Sequence, residues 1–111
     1  MLVITDNEVR LTRGDNADIN VLIKDLNGDT YTLQEGDKLL FTMKRNCKTD
    51  IIVIQKDITS DQVISLEHDD TKDLDYGTYY FDVQCTLADG QVYTVIEPHP
   101  FIIEKEVTFN V

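Results

Sequence analysis

The stretch LDYGTYYFDVQ, residues 74–84, is the most regular segment of the chain and decides how the rest is interpreted. Its second half alternates: Tyr79, Phe81 and Val83 stand at one parity, and Asp82 stands at the other. Alternation of apolar and polar residues is typical of a β-strand with one buried face. We therefore predict a strand that directs Phe81 and Val83 into the core and leaves Asp82 as a solvated carboxylate on the outer face.

The residues that lead into this strand fit a tyrosine corner. In that motif a tyrosine at the start of a strand bonds through its hydroxyl to backbone a few residues upstream. The corner positions are Leu74, Gly77 and Tyr79, and the glycine permits the tight bend that delivers the chain into the strand. The competing interpretation is an active-site segment with aromatic residues around a carboxylate. Catalysis also requires a partner acid, base or nucleophile at hand, so the structural corner is favoured.

Short alternating segments and turn residues recur along the chain. Turns are predicted at Asn27–Gly28, Gly36–Asp37 and Asp89–Gly90. Residues 68–74, HDDTKDL, suit one helical turn capped by Asp70 or Thr71. Further strands are predicted at residues 17–25, 31–33, 38–44, 51–56, 62–67, 91–96 and 101–109. Their inward residues are predicted to include Ile19, Val21, Ile23, Leu39, Phe41, Met43, Ile64 and Leu66. Seven to nine short strands without a convincing helix indicate an antiparallel β-sandwich or barrel, folded as one domain over residues 1–111.

The Asp89–Gly90 hairpin allows the facing of its two strands to be predicted, because a two-residue turn fixes their register. The register pairs Leu87 with Val92, Cys85 with Thr94 and Val83 with Ile96 on the core face, and Thr86 with Tyr93 and Gln84 with Val95 on the outer face. The outer face then carries Tyr80, Tyr93 and Val95. Antiparallel sheets usually keep that face polar. We therefore predict that these three residues form a protein contact.

Charge and hydropathy bound the partners. The chain has 21 acidic and 10 basic residues and a formal net charge of −11. That charge repels phosphate, so neither nucleic acid nor an anionic membrane surface is expected as a partner. No apolar run approaches the roughly 18 residues of a membrane-spanning helix. The first ten residues lack the apolar segment of a signal peptide, so export is not expected either.

The residues that carry chemistry do not assemble into a recognisable site. Cys47 and Cys85 form no C-x-x-C pair and are expected to stay reduced, although a disulfide between them stays open as the alternative. His68 and His99 belong to no Ser-His-Asp or Cys-His set. The RGD tripeptide at residues 13–15 is interpreted as a turn before a strand. The acidic segments DLNGD and HDDTKDLD lack the spacing of an EF-hand calcium loop. The prediction is a protein that is not an enzyme and uses no cofactor or metal.

Two long segments carry a family resemblance: RLTRGDNADINVLIKDLNGDTYTLQEGDKLLFTMK, residues 10–44, and DLDYGTYYFDVQCTLADGQVYTVIEPHPFIIEKEVT, residues 73–108. Their succession of turn and strand motifs resembles the Ig-like N-terminal domain of the baseplate upper protein family of tailed phages and prophages of Gram-positive bacteria. The resemblance covers about residues 9–108. It implies an Ig-like antiparallel β-sandwich that is commonly oligomeric and attached to the tail or baseplate of a virion, and it brings no catalytic residues.

The expected function is therefore that of a phage or prophage virion structural protein, a tail or baseplate component that acts through protein–protein contacts. Its expected partners are copies of itself, as a homo-oligomer, and other tail or baseplate proteins. Its expected location is the virion, after assembly in the host cytoplasm. The alternative is a carbohydrate-binding module that aids adsorption to the host cell, for which Tyr31, Tyr76 and Tyr80 would supply the aromatic contacts.

Overall fold

The regular secondary structure of the described residues is almost all β-strand, with one short helix. The computed structural model describes residues 2–4, 8–25 and 27–107. The elements in chain order are β1 Leu2–Ile4, β2 Val9–Thr12, β3 Ala17–Asn20, β4 Lys38–Lys44, β5 Ile54–Asp57, β6 Val63–Leu66, helix α1 His68–Thr71, β7 Gly77–Thr86 and β8 Val92–Glu104. The predicted all-β, sandwich-like fold is confirmed.

Two sheets form the layers of the fold. The larger has the strand order β1-β2-β8-β7-β4-β5, and the smaller pairs β3 with β6. Neighbours run antiparallel except β2 and β8, which run parallel with Val9 opposite Phe101. The expectation of purely antiparallel pairing is therefore wrong at this edge of the sheet. No short hairpin joins β2 to β8, so the connection does not impose an antiparallel direction on them.

The core lies between the two sheets and follows the predicted alternation closely. The buried residues of β4, β6 and β7 are Leu39, Phe41, Met43, Ile64, Leu66, Tyr79, Phe81, Val83 and Cys85. Val21 and Ile23 are also buried, whereas Ile19 is half-buried. The Phe81 ring lies 5.8 Å from the rings of both Phe41 and Phe101, measured between centroids. Aromatic rings at this separation contribute attraction beyond the burial of their area.

Three of the predicted strands are clearly shorter or absent in the structure. The strand predicted at residues 17–25 ends at Asn20. Residues 31–33 form no strand; one isolated bridge joins Lys24 to Thr30, and the Tyr31 N–H donates to the Ile23 carbonyl at 2.8 Å. The strand predicted at residues 51–56 begins only at Ile54. An unbroken apolar run shows no alternation from which its first paired residue could be predicted.

Strand β8 joins two predicted strands into one. It runs over 13 residues, with the two β-bulge-like register shifts of the β7–β8 ladder along it. Pro98 and Pro100 are tolerated because β2 pairs only with Phe101–Glu104. Among the described residues, no strand therefore requires a peptide N–H from either proline on that side. Residues 108 and 109 of the predicted terminal strand lie outside the described residues.

The turn between β7 and β8 corrects the predicted register. The Leu87 N–H donates to the Gln91 carbonyl at 2.8 Å, and the Gly90 N–H donates to the Leu87 carbonyl at 2.9 Å. The loop thus has three residues, 88–90, with Gly90 at a φ of +93°, where a two-residue turn was predicted. Cys85 consequently faces Tyr93 rather than Thr94. Only beyond a bulge does the predicted pairing of Val83 with Ile96 return.

The predicted helical turn forms, but with a different cap. Its N-cap is Glu67, not Asp70 or Thr71. The Asp70 carboxylate lies in the first turn and accepts from the Glu67 N–H at 2.8 Å. Thr71 is buried, and its hydroxyl oxygen accepts from the Gly14 N–H at 2.7 Å. This contact ties the helix to the turn at residues 13–15, which the sequence predicted.

Candidate interaction surfaces

The tyrosine corner is a structural element. The Tyr79 hydroxyl donates to the Asp75 carbonyl at 2.8 Å, which confirms the predicted hydrogen bond to upstream backbone. Gly77 adopts a φ of +127°, which favours glycine over any residue with a Cβ. Leu74 packs against the core. The Arg45 guanidinium covers the Tyr79 ring at 4.4 Å from its centroid. With its ring covered and its hydroxyl bonded, Tyr79 stabilises the entry to β7.

A charged cluster near this corner joins the beginning of the chain to residues just after β8. Arg13 and Glu106 pair through Nη2 and Oε1 at 2.8 Å, and the Tyr76 hydroxyl donates to the same oxygen at 2.7 Å. The Arg13 guanidinium also covers the Tyr76 ring at 4.2 Å. The hydrogen bonds from Arg13 and then Tyr76 hold the pKa of Glu106 below its usual range. Because Tyr76 is engaged on its ring and at its hydroxyl, it does not offer a free aromatic platform.

Asp37 organises the opposite end of the sandwich. One carboxylate oxygen accepts from the Gln34 N–H at 2.8 Å and from the Tyr31 hydroxyl at 2.7 Å, and the other accepts from the Ala88 N–H at 3.0 Å. These bonds, the Gln34 one foremost, hold the pKa of Asp37 below its usual range. Donation to Asp37 raises the pKa of Tyr31 to about 12. A Cβ at Gly36 would lie 2.8 Å from the Ala88 Cβ, so this close approach requires glycine.

Asp37 thereby fixes the walls of a cleft at that end, which we call the end cleft. It has a volume of about 440 Å³ and is lined by Ile23, Lys24, Asp25, Tyr31, Cys85, Leu87, Tyr93, Thr94 and Val95. Most of these side chains are apolar or aromatic. Cys85 is buried at its base, and burial followed by the nearby Asp37 carboxylate raises the pKa of the thiol. A thiol that stays protonated is a weak nucleophile.

A second, smaller groove of about 280 Å³ crosses the outer face of the large sheet, and we call it the outer groove. It is lined by Leu40, Thr42, Lys44, Asn46, Cys47, Ile52, Gln55, Tyr80, Phe81, Asp82, Gln84 and Pro98. Asp82 has the outward parity that was predicted, but it is half-buried rather than freely solvated. Desolvation raises the pKa of its carboxyl, and the Lys44 charge opposes this.

The structure separates the three residues of the predicted contact. Tyr80 lies in the outer groove, whereas Tyr93 and Val95 line the end cleft. The cause is the hairpin register. A shift of one residue pairs Tyr93 with Cys85, so the Tyr93 side chain lies on the core side of the sheet. The prediction that Tyr80, Tyr93 and Val95 share one face is therefore wrong. Whether each of them makes a protein contact stays a prediction.

The remaining chemistry-bearing residues are two free cysteines and two histidines that contact backbone carbonyls. Cys47 is an exposed free thiol and Cys85 a buried one. The His68 Nδ1 lies 2.8 Å from the Gly14 carbonyl oxygen, and the His99 ring contacts the Glu97 carbonyl. Within residues 2–4, 8–25 and 27–107, no group of three His, Cys, Asp or Glu side chains is placed to hold a metal ion. None of the helices described there is long and apolar enough to span a membrane.

Sequence reasoning missed Asp37 and the end cleft. The Gly36–Asp37 pair suggested a turn, and the turn exists. Asp37 also bonds to Tyr31, Gln34 and Ala88, and the one sequence feature that hinted at this was its position directly before the alternating strand β4. Its partner Ala88 is 51 residues away in the sequence, so local pattern could not find the contact.

Comparison with known proteins adds no assignment. No family model matches the chain, and neither a curated protein nor a solved structure does.

Proposed function

We propose that this chain is a structural component of a phage or prophage virion, in the tail or baseplate, and that it acts through protein–protein contacts. The proposal starts from the sequence resemblance over residues 9–108. An all-β sandwich-like fold is compatible with such a part. The buried Cys85 thiol and the two histidines, which contact backbone carbonyls, do not indicate a particular reaction.

The observation that carries the proposal is apolar surface at the open end of the sandwich. Val92 is 56% exposed and Tyr93 is 51% exposed, on consecutive positions of β8. Tyr93 also lines the apolar end cleft. The two side chains lie on opposite faces of the strand, and it is the Tyr93 side that continues into the apolar end cleft. On a chain with a net charge of −11, an apolar cleft with a half-exposed tyrosine in its wall supports a protein contact there.

The test is association with tails in cells that encode the chain. Tail particles collected from such cells are separated by sedimentation and probed with an antibody against the chain. The wild-type chain is expected in the tail fraction. A chain that stays entirely in the fraction of free proteins, while tails sediment normally, overturns the proposal.

A matched pair of variants locates the contact. Tyr93→Glu places a charge on the open end, and Thr78→Glu places the same charge at an exposed position at the other end of β7. The first variant is expected to leave the tail fraction and the second to remain in it. Equal retention of both would show that the contact lies elsewhere on the chain.

Glycan binding is the second candidate, and the outer groove is the feature that favours it. Tyr80 lies there beside the polar side chains of Asp82 and Gln84, the kind of setting in which a sugar ring packs on an aromatic. Tyr31 and Tyr76 are committed to Asp37 and Glu106. A glycan array probed with the wild-type chain and with Tyr80→Ala tests this candidate, which requires a signal that the variant loses.

A further inference from the structure

The two sides of strand β8 are unequally paired. On one side, β7 pairs along it from Val92 to Ile103. On the other side, β2 pairs only from Phe101 to Glu104. Among the residues that the structure describes, no strand pairs with the β2 side of residues 92–96. This part of β8 is an open sheet edge, and such edges are templates for adding another strand.

The ladder identifies which peptide groups face outward. The bond from the Leu87 N–H to the Gln91 carbonyl makes these two residues a hydrogen-bonded pair. Antiparallel ladders alternate between bonded and non-bonded pairs, so Cys85–Tyr93 is bonded. Val92 and Thr94, opposite Thr86 and Gln84, therefore direct both N–H and C=O away from β7. They offer two donors and two acceptors to an incoming strand.

The end cleft continues from this edge. Tyr93, Thr94 and Val95 belong both to the edge segment and to the lining of the cleft. A strand that paired with Val92 and Thr94 would direct alternate side chains to one face of the sheet. On the core side, the end cleft lies in reach of those side chains. Backbone pairing combined with a pocket for alternate side chains is how strand addition combines affinity with specificity.

The charges around the cleft select the partner. Asp25 lines it, and Asp89, at the tip of the adjacent loop, is close enough to Tyr31 to act on its ionisation. Lys24 is the basic residue of the lining. The chain as a whole carries a net charge of −11. A second copy would bring the same acidic residues to this place, whereas a segment with lysine or arginine gains attraction.

We propose that the β8 edge at Val92 and Thr94, together with the end cleft, binds an extended basic segment of another protein by strand addition. The inference rests on the proposed assembly function and names the class of partner that this function requires. The backbone of the segment pairs with the edge, one apolar side chain enters the end cleft, and a basic side chain approaches Asp25 and Asp89.

The experiment uses a nine-residue synthetic peptide with a fluorescent label, in which valine and lysine alternate at every second position and threonine occupies the positions between. Both the apolar and the basic side chains then lie on the face of the added strand that meets the end cleft. Fluorescence anisotropy gives its affinity for the wild-type chain, and amide NMR shifts map where it binds. The expected shifts centre on residues 92–95. A peptide methylated on every second backbone nitrogen keeps the side chains but loses edge hydrogen bonds. Its affinity is expected to fall about tenfold, the effect of losing roughly two such bonds.

Variants of the chain separate the backbone and charge contributions. Val92→Pro removes the outward N–H, which no bond to β7 uses, and is expected to weaken binding as the methylated peptide does. Asp25→Asn combined with Asp89→Asn is expected to weaken binding at low salt and to flatten its salt dependence. Asp50→Asn combined with Asp73→Asn, at exposed positions in the β4–β5 and α1–β7 connections, also removes two charges. This charge-matched control should bind like the wild type.

Three results would overturn the inference: no binding of the alternating peptide, equal binding of the methylated peptide, or shifts that centre on the outer groove. A dimer of the free chain whose amides at residues 92 and 94 are protected would also overturn it, in favour of self-pairing. Because the assay needs no virion, failure here with intact tail association leaves the proposed function standing. Binding here without tail association overturns the proposed function instead.

Discussion

The two halves of strand β8 have similar composition but differ in how deeply their side chains are buried. Residues 92–96, VYTVI, and residues 101–103, FII, are both apolar and both typical of strands. Phe101 and Ile103 are essentially inaccessible, at 0% and 1% exposure, whereas Val92 and Tyr93 are about half exposed. The second half has a neighbour on each side, β7 and β2, whereas among the described strands the first half is paired with β7 alone. Burial along this strand follows its neighbours, and the half with a single described neighbour is the edge that we propose binds a partner.

The largest expected effect contrasts a side chain from each half. Phe101→Ala should lower the free energy of unfolding by about 3–5 kcal/mol, because it leaves a cavity against Phe81. Val92→Ala should change it by less than about 0.5 kcal/mol, because the residue is largely exposed. Urea denaturation of both variants beside the wild type measures the difference. Similar losses in the two variants would mean that the first half is covered in the free chain.

A smaller effect is expected at the tyrosine corner, which fixes where β7 begins beside the buried half of β8. Tyr79→Phe removes the hydroxyl that bonds to the Asp75 carbonyl and keeps the ring. The loss should be about 0.5–1.5 kcal/mol with the fold retained. Tyr80→Phe, one position along and on the other face, is the matched control. If Tyr79→Phe cost no more than this control in thermal denaturation, the corner would not stabilise the fold.

The smallest effect concerns Glu106, which lies just beyond the buried half of β8. Hydrogen bonds from Arg13 and Tyr76 lower its pKa in the folded chain. A lowered folded pKa stabilises the fold above the unfolded pKa, and this contribution disappears as the pH falls through the folded value. Stability should therefore decline below about pH 4.

A substitution isolates this contribution. Glu106→Gln should be less stable than the wild type at pH 7, with the difference shrinking towards pH 3. Glu35→Gln, at an exposed position, should run parallel to the wild type. Thermal midpoints measured across this range decide the matter. If the Glu106→Gln curve ran parallel to that of the wild type, the Arg13–Glu106 ion pair would not contribute to the stability of the fold.

The local sequence pattern correctly predicted those features that depend on residues close together in the chain. The alternation in KLLFTMK identified Leu39, Phe41 and Met43 as core, and the spacing from Leu74 to Tyr79 identified the corner. In both cases the residues that decide the outcome are within a few positions of each other. The sandwich-like fold follows from many such segments and did not depend on any one of them.

The β7–β8 register and the open edge of β8 could not be predicted from the sequence, because the register depends on a single residue and the edge on distant partners. Asp89–Gly90 suits a two-residue turn, yet the loop also includes Ala88, whose N–H bonds to the distant Asp37. That single extra residue moved Tyr93 from the outer face to the end cleft. The parallel pairing of β2 with β8, which decides where the open edge begins, joins segments about ninety residues apart. The candidate binding surface was thus only partly predictable, through Tyr93 and Val95.

Amide hydrogen exchange of the free chain, measured residue by residue by NMR, shows directly whether the first half of β8 is an open edge. An open edge predicts an alternating pattern there, with fast exchange at Val92 and Thr94 and slow exchange at Tyr93. In the second half, Phe101, Ile102 and Ile103 should all exchange slowly, because β7 and β2 satisfy them alternately. Protection of Val92 and Thr94 equal to that of residues 101–103 would contradict the account, because the edge proposed to bind a partner would already be paired.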